Sequence, residues 1–246
     1  MKAVILAAGV ARRLAPLTDH THKCLLPVGG RSLLDRMLGR LAASGVDEAV
    51  LVVGHCQDQV RRAADTARGT MRVGYVENPD YQKGSILSLW RARDTMLRDD
   101  TLIMDADVLF PGRFLRGLID ARAPSALLLD RGFKDTGEEV KLYAVGERVV
   151  ALGKKFVPEA WDVVGEGVGF FKCSAAHARE YVRLLEESIQ ETGGTNEYED
   201  PLHRLLARVP VGWVDVTGLP WTEVDFAEDL RRAETQVLPE IESLER

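Results

Sequence analysis

Cysteine, excess charge of one sign and long apolar runs are all scarce in this sequence. Its 246 residues include only three cysteines, Cys24, Cys56 and Cys173, with no CxxC pair. That argues against a disulfide framework or a zinc site and favours a reducing compartment. The net charge of −6 gives no general attraction to nucleic acid or to an anionic membrane. Because the first apolar run stops at Gly9, the sequence predicts neither a signal peptide nor a membrane span. We therefore predict a cytoplasmic protein.

Two common nucleotide-binding motifs are also missing. The chain has no GxGxxG and no GKS or GKT, which disfavours a Rossmann dehydrogenase and a P-loop kinase. Internal repeats, low-complexity segments and linker-like stretches are absent as well. We therefore predict one domain over 1–246, with a core in 1–134 and a second half with a closing helix in 135–246.

Apolar strands alternate with amphipathic helices through the first half of the chain. A buried strand is predicted at 2–8, with further strands at 49–53, 71–76 and 101–104 and helices between them. This order predicts an α/β fold, Rossmann-like and doubly wound, with a mostly parallel sheet. After about residue 135 a hairpin and a glycine-rich strand at 163–171 predict a β-rich extension.

The opening loop combines small residues with cations. The strand ends in Ala7, Ala8 and Gly9, and Arg13 and Lys23 follow. Amides in such a loop can approach an anionic ligand closely, and the two cations can neutralise phosphate charge. We therefore place these three amides against a nucleotide, with Arg13 and Lys23 on its phosphates; the alternative is an ordinary loop with two solvated cations.

Carboxylates follow the strand at 101–104. Asp105 and Asp107 lie where ligands bind in open α/β sheets, and two such acids can hold Mg²⁺. The alternative is a helix cap or a turn. Asp225, between a strand-like segment and a helix, is the natural partner, as a metal ligand or as an N-cap.

These segments resemble one family. VILAAG followed by RLAPLTDHTHKCLLPVGGRSLLDRML, with DADV and a distant WTEVDFAEDL, resembles the nucleotidyltransferase superfamily that makes nucleotide sugars and activated alcohols. The resemblance implies a GT-A-like nucleotidyltransferase fold and transfer of a nucleotide to a phosphate monoester with release of pyrophosphate. It implies triphosphate binding by Gly9, Arg13 and Lys23, and Mg²⁺ binding by Asp107 and Asp225, with Asp105 as a less certain outer acid. Ala11 and His22 stand where the family pattern has Gly and Pro.

Two later stretches indicate the subfamily. NPDYQKGSILSLW at 78–90 and TNEYEDPL at 195–202 look most like the small phosphocholine and aminoalkylphosphonate cytidylyltransferases, or the inositol-phosphate cytidylyltransferases. That resemblance implies CTP as donor, with Gly84 and Ser85 at the base. It also implies an acceptor site in the second half, formed by Lys141, Lys154, Glu166, Tyr198 and Trp221.

Other functions stay open at this point. A sugar-1-phosphate nucleotidyltransferase using UTP, GTP or dTTP is one alternative, and a non-catalytic nucleotide-sensing domain is another. The expected partners are a nucleoside triphosphate and a small phosphorylated acceptor, with no nucleic acid and no membrane. The oligomeric state is open, with a homodimer as one option.

Overall fold

A computed structural model describes all residues, 1–246. Thirteen strands occur in chain order: β1 (Lys2–Ala7), β2 (Pro27–Val28), β3 (Arg31–Ser32), β4 (Glu48–Val53), β5 (Arg72–Glu77), β6 (Thr101–Asp105), β7 (Val108–Leu109), β8 (Ala126–Asp130), β9 (Lys141–Val145), β10 (Arg148–Gly153), β11 (Val163–Cys173), β12 (Gly212–Asp215) and β13 (Thr222–Glu223). The α-helices are α1 (Leu33–Ala43), α2 (Gln57–Ala67), α3 (Ser85–Arg91), α4 (Arg93–Arg98), α5 (Arg113–Ile119), α6 (Ala175–Thr192), α7 (Glu199–Leu206), α8 (Ala227–Arg232) and α9 (Leu238–Leu244).

Strand β1 lies inside a nine-stranded sheet of order β5-β4-β1-β6-β11-β8-β12-β10-β9. Its alternate residues Ala3 and Ile5 pack in one core cluster, and Val4 packs in the cluster on the other face. Both faces are therefore covered, which explains why the strand reads as a continuous apolar run. The pairings β5–β4, β4–β1 and β1–β6 are parallel, as the sequence predicted.

The second half of the chain changes the direction of the sheet. Strand β11 inserts antiparallel between β6 and β8. Strands β9 and β10 form the predicted hairpin, and β9 also pairs antiparallel with the first part of β11. The predicted α/β fold is confirmed, but the sheet is mixed. It is parallel from β5 to β6, and β11 runs opposite to both of its neighbours in the sheet.

The C-terminal helices return to the opening loop. A third cluster packs Val237, Leu238 and Ile241 of this segment against Leu14 and Val28 of the loop. The last helices therefore tie the loop at 10–30 to the region around Asp225. None of the helices combines the length and the apolar character that crossing a bilayer requires.

Candidate active site

A short two-stranded ladder brings two distant acids together. Strand β6 ends at Asp105, and β7 begins at Val108 and pairs antiparallel with β13, with Glu223 opposite Val108. The amide of Val224 donates to the carbonyl of Asp107 over 3.1 Å. Asp107 and Asp225 therefore lie side by side at the carboxyl edge of the parallel strands, where ligands bind in such sheets.

Lys23 lies between these two acids. Its Nζ donates to Oδ1 of Asp225 over 2.8 Å and also forms an ion pair with Oδ2 of Asp107. Burial opposes the positive charge, but the two carboxylates outweigh it and raise the pKa of Lys23. The sequence prediction that Lys23, Asp107 and Asp225 form one site thus corresponds to direct contact between the three side chains.

A buried histidine positions Lys23. His22 is the N-cap of the short 3-10 turn Lys23–Leu25, and its Nδ1 accepts from the amide of Cys24 over 3.2 Å. Only 2% of the His22 surface is exposed. Burial, and then the nearby charge of Lys23, lower the pKa of His22 to about 3, so the ring is neutral at physiological pH.

The second predicted cation approaches the same acids from the solvent side. Nη2 of Arg13 donates to Oδ2 of Asp225 over 2.6 Å, and its guanidinium lies over the ring of Phe226 at 5.1 Å. Arg13 follows Ala11, which has a left-handed backbone with φ of 53°. Glycine adopts that conformation without strain, so this is the position where the alanine departure from the family pattern matters physically.

Glu223 completes an acidic cluster that sequence reasoning missed. Ligand oxygens of Asp107, Glu223 and Asp225 all lie within 4.8 Å of one another. Burial, and then the charges of Asp107 and Asp225, raise the pKa of Glu223 to about 8. Glu223 and Asp225 are two residues apart on an extended segment, so strand alternation was a signal that could have found Glu223.

Asp105 lies deeper than the acidic cluster. Its Oδ2 accepts from the hydroxyl of Tyr198 over 2.8 Å. Burial, and then the charges of Asp107 and Glu199, raise its pKa. Its carboxylate occupies the space where a Cβ at Gly169 would stand, which explains a glycine in β11 with φ of +75°. Asp105 is therefore an outer acid, held by the protein and outside the cluster around Lys23.

A cleft of about 870 Å³ opens over these groups. Of the residues predicted from sequence, the ones that line it are Arg13, Lys23, Ser85, Asp105, Asp107, Lys154, Glu166, Tyr198, Trp221 and Asp225. The ones that do not are Ala7, Ala8, Gly9, Gly84 and Lys141. Lys141 instead holds Asp135 over 2.7 Å, so its ammonium is engaged outside the cleft.

The predicted base-binding segment is covered by the loop before α7. A Cβ at Gly84 would collide with the backbone of Asn196, so the glycine there permits close packing of two chain segments. The amide of Ser85 donates to Oε2 of Glu197 over 3.0 Å, and the Ser85 hydroxyl accepts from the amide of Tyr198 over 3.1 Å. Ser85 therefore reaches the cleft, whereas Gly84 is packed beneath it.

The predicted acceptor residues differ in their environments. Burial, and then the charges of Glu139 and Asp130, raise the pKa of Glu166 to about 7. The indole of Trp221 donates to Oδ2 of Asp130 over 2.8 Å. Tyr198 is 5% exposed. The second half thus contributes acids and anchored aromatic rings to the wall of the cleft.

Comparison with known proteins agrees with this geometry. Residues 3–149 match the family described as MobA-like NTP transferase domain. The chain is 32% identical over 245 residues to CMP-5'-(3-aminopropyl)phosphonate synthase of Streptomyces rubellomurinus, covering 97% of this chain but only 39% of that protein. It is 27% identical over 244 residues to 2-aminoethylphosphonate cytidylyltransferase of Lancefieldella rimae, covering 98% of this chain and 88% of that protein.

A solved structure supports the fold. The inositol-1-phosphate CTP transferase of T. maritima superimposes with a TM-score of 0.80 at 21% identity, covering 100% of this chain and 96% of that one. The resemblance to nucleotidyltransferases drawn from the opening motif is confirmed, together with the mixed α/β architecture. The chain belongs to the family of MobA-like NTP transferase domains.

Proposed function

We propose that this chain transfers CMP from CTP to a phosphate or phosphonate oxygen of a small acceptor and releases pyrophosphate. The observation that carries the proposal is the contact of Lys23 with both Asp107 and Asp225, with Arg13 on the outer side of Asp225. Two cations and a cluster of acids at one sheet edge suit a triphosphate with its metal. Relatives named for cytidylyl transfer to aminoalkylphosphonates support the choice of donor and acceptor.

The acidic cluster fits a divalent cation. Oδ1 of Asp107 is buried and has no hydrogen-bond partner, which leaves a ligand atom free. Carboxylate oxygens are the ligands that Mg²⁺ prefers, with phosphate oxygens and water completing its shell. Asp107 and Asp225, with Glu223 beside them, would hold the ion. Bound there, Mg²⁺ would offset the charge that develops on the phosphate oxygens.

The chain's own residues supply positioning and charge. The acceptor oxygen is anionic at neutral pH, so no general base is required when it attacks the α-phosphorus. A new oxygen–phosphorus bond forms, and the bond from the α-phosphorus to the pyrophosphate oxygen breaks. Arg13 and Lys23 stabilise the leaving pyrophosphate, since both cations line the cleft.

The remaining predicted site residues keep their roles within this proposal. The nucleotide would lie against Ser85, with Gly84 packed beneath it. Ala7, Ala8 and Gly9 do not line the cleft, so their amides would act at its border. The acceptor lies toward Lys154, Glu166, Tyr198 and Trp221. Lys141 can take part only by leaving Asp135. Three free cysteines, two of them buried, support a cytoplasmic location.

Pyrophosphate release measured across donors and acceptors tests the proposal. CTP, UTP, GTP and dTTP are each paired with 2-aminoethylphosphonate, phosphocholine, inositol 1-phosphate and glucose 1-phosphate in the presence of MgCl₂. We expect turnover with CTP and a small phosphonate or phosphate ester, and at least a hundredfold loss in Asp107→Asn, on the order of one lost catalytic electrostatic contact. Turnover restricted to UTP, GTP or dTTP with glucose 1-phosphate would replace the proposal with a sugar-1-phosphate activity. CTP binding without turnover on any acceptor would favour a nucleotide-sensing domain.

A further inference from the structure

One carboxylate oxygen in the cleft wall, Oε2 of Glu199, has no hydrogen-bond partner in the protein. Glu199 is the first residue of α7 and lines the cleft, and its Oε2 is shielded from solvent yet accepts no hydrogen bond. Burial of a carboxylate without a hydrogen bond or a counter-ion is unfavourable, and native proteins rarely leave such groups. An unpartnered acid in the wall of a binding cleft therefore suggests that the missing partner is a ligand.

Neighbouring groups are engaged with other residues in the structure. Glu197 accepts from the amide of Ser85, and Tyr198 donates its hydroxyl to Asp105. Lys154, a cation that also lines the cleft, lies 3.7 Å from a carboxylate oxygen of Glu138. Since these groups are engaged elsewhere, Glu199 is left for a cation that comes from outside the protein.

The surroundings also indicate which kind of cation. A trimethylammonium group has no N–H and gains most of its binding energy from open aromatic faces, whereas a primary ammonium donates three hydrogen bonds. Trp161 does not line the cleft and packs edge-on against Tyr143 at 5.5 Å. Tyr198 is 5% exposed and its hydroxyl is engaged. Trp221 lines the cleft, but its indole donates to Asp130, one of the acids beside Glu166. None of these three aromatic residues therefore presents an open face to Glu199.

We propose that Glu199 is the residue that recognises the acceptor, and that the acceptor carries a primary ammonium group as well as its phosphate or phosphonate. The inference rests on the proposed function, because it assigns the second end of the acceptor in that reaction. Glu166, another acid of the cleft wall without a side-chain hydrogen bond, lies near Glu139, Asp130 and Arg232, and its charge acts on Glu223 of the acidic cluster. Glu199 lies near Asp105 and is not a member of the acidic cluster of Asp107, Glu223 and Asp225. The ammonium end of the acceptor would therefore bind apart from its reacting end.

The test compares one acceptor that has a primary amine with one that lacks an amine and one that has a trimethylammonium group. Wild type, Glu199→Gln and Asp200→Asn are assayed for pyrophosphate release with CTP, MgCl₂ and either 2-aminoethylphosphonate, ethylphosphonate or phosphocholine. Asp200 is the matched control, because it is the adjacent acid but is exposed to solvent. We expect wild type to use 2-aminoethylphosphonate with kcat/KM about 30-fold above the other two acceptors, the size of one charged hydrogen bond. Glu199→Gln should lose that preference because its KM for 2-aminoethylphosphonate rises, and it should keep its rate on ethylphosphonate. Asp200→Asn should match wild type on all three acceptors.

A stability measurement separates recognition from a structural role. Glu199→Gln removes a buried charge, so its urea midpoint at pH 8 should rise, whereas loss of a structural contact would lower it. Equal use of amine and amine-free acceptors by wild type would overturn the inference and leave cytidylyl transfer standing. An equal loss on all acceptors in Glu199→Gln, with a lower urea midpoint, would also overturn it. Absence of turnover with every acceptor would overturn the proposed function, and this inference with it.

Discussion

Replacing Lys23 with methionine is the sharpest test of the site's electrostatics. Methionine keeps an unbranched apolar stem of similar length and removes the ammonium. The side chains of Lys23 and Asp107 are 17% and 11% exposed, and Asp225 is 21% exposed. Removing one partner from a buried ion pair costs about 3–5 kcal/mol, because a charge stays buried without compensation.

The expected loss lies at the lower end of that range. Asp225 keeps the guanidinium of Arg13 at 2.6 Å, whereas Asp107 loses its only ion pair. We expect Lys23→Met to lower the free energy of unfolding by about 3 kcal/mol at pH 8.

Urea unfolding at pH 8 measures this loss, and the same experiment with MgCl₂ measures the effect of magnesium. Lys83→Met is the control, since Lys83 is 49% exposed and lies 3.4 Å from Asp80, a pair worth below about 1 kcal/mol. Magnesium should stabilise Lys23→Met more than wild type, because the ion no longer competes with Lys23 for the same oxygens. If Lys23→Met loses no more stability than Lys83→Met, the assignment of a buried ion triad is wrong. If magnesium stabilises both proteins equally, the acids are not a metal site.

Three further predictions concern the backbone and the buried histidine. Because the pKa of His22 falls from 6.5 to about 3 on folding, the unfolded state binds the extra proton, and stability drops as pH falls below about 6.5. Relative to His22→Asn, wild type should lose about 2 kcal/mol between pH 7.5 and pH 5, measured by urea unfolding at both values. Ala11→Gly should raise the free energy of unfolding by about 1 kcal/mol, because it relieves the left-handed backbone; an unchanged urea midpoint would contradict this. Gly169→Ala should lower the free energy of unfolding by about 2 kcal/mol or more, since the new Cβ meets the carboxylate of Asp105. Gly218→Ala is the control for Gly169→Ala, because Gly218 has a φ of +80° and open space around it. It should lower the free energy of unfolding by about 1 kcal/mol, which is the contribution of backbone strain alone.

Local signals in the sequence were enough for most of the secondary structure. The apolar run at 2–8 corresponds to β1, and the Ser32 cap followed by leucines at helical spacing corresponds to α1, whose Ser32 side chain accepts from the amide of Asp35. These elements depend on periodicity and capping within a dozen residues, which are readable without tertiary contacts. The antiparallel insertion of β11 was not readable, because strand order depends on contacts between residues far apart in the chain.

The candidate site also depends partly on local sequence signals and partly on contacts between distant residues. The motif around Gly9, Arg13 and Lys23 indicated the family from sequence alone, and it predicted Arg13 and Lys23 as the phosphate-binding cations. The tertiary structure decided that Lys23 contacts Asp225, which is 202 residues away in the sequence, and that Glu223 lies beside Asp225. It also decided that Oε2 of Glu199 has no hydrogen-bond partner in the protein. The β7–β13 ladder and the packing of the final helices on the opening loop set these distances. Residue types and local spacing thus determined which chemistry was available, and non-local pairing decided which charges compensate one another and which are left for a ligand.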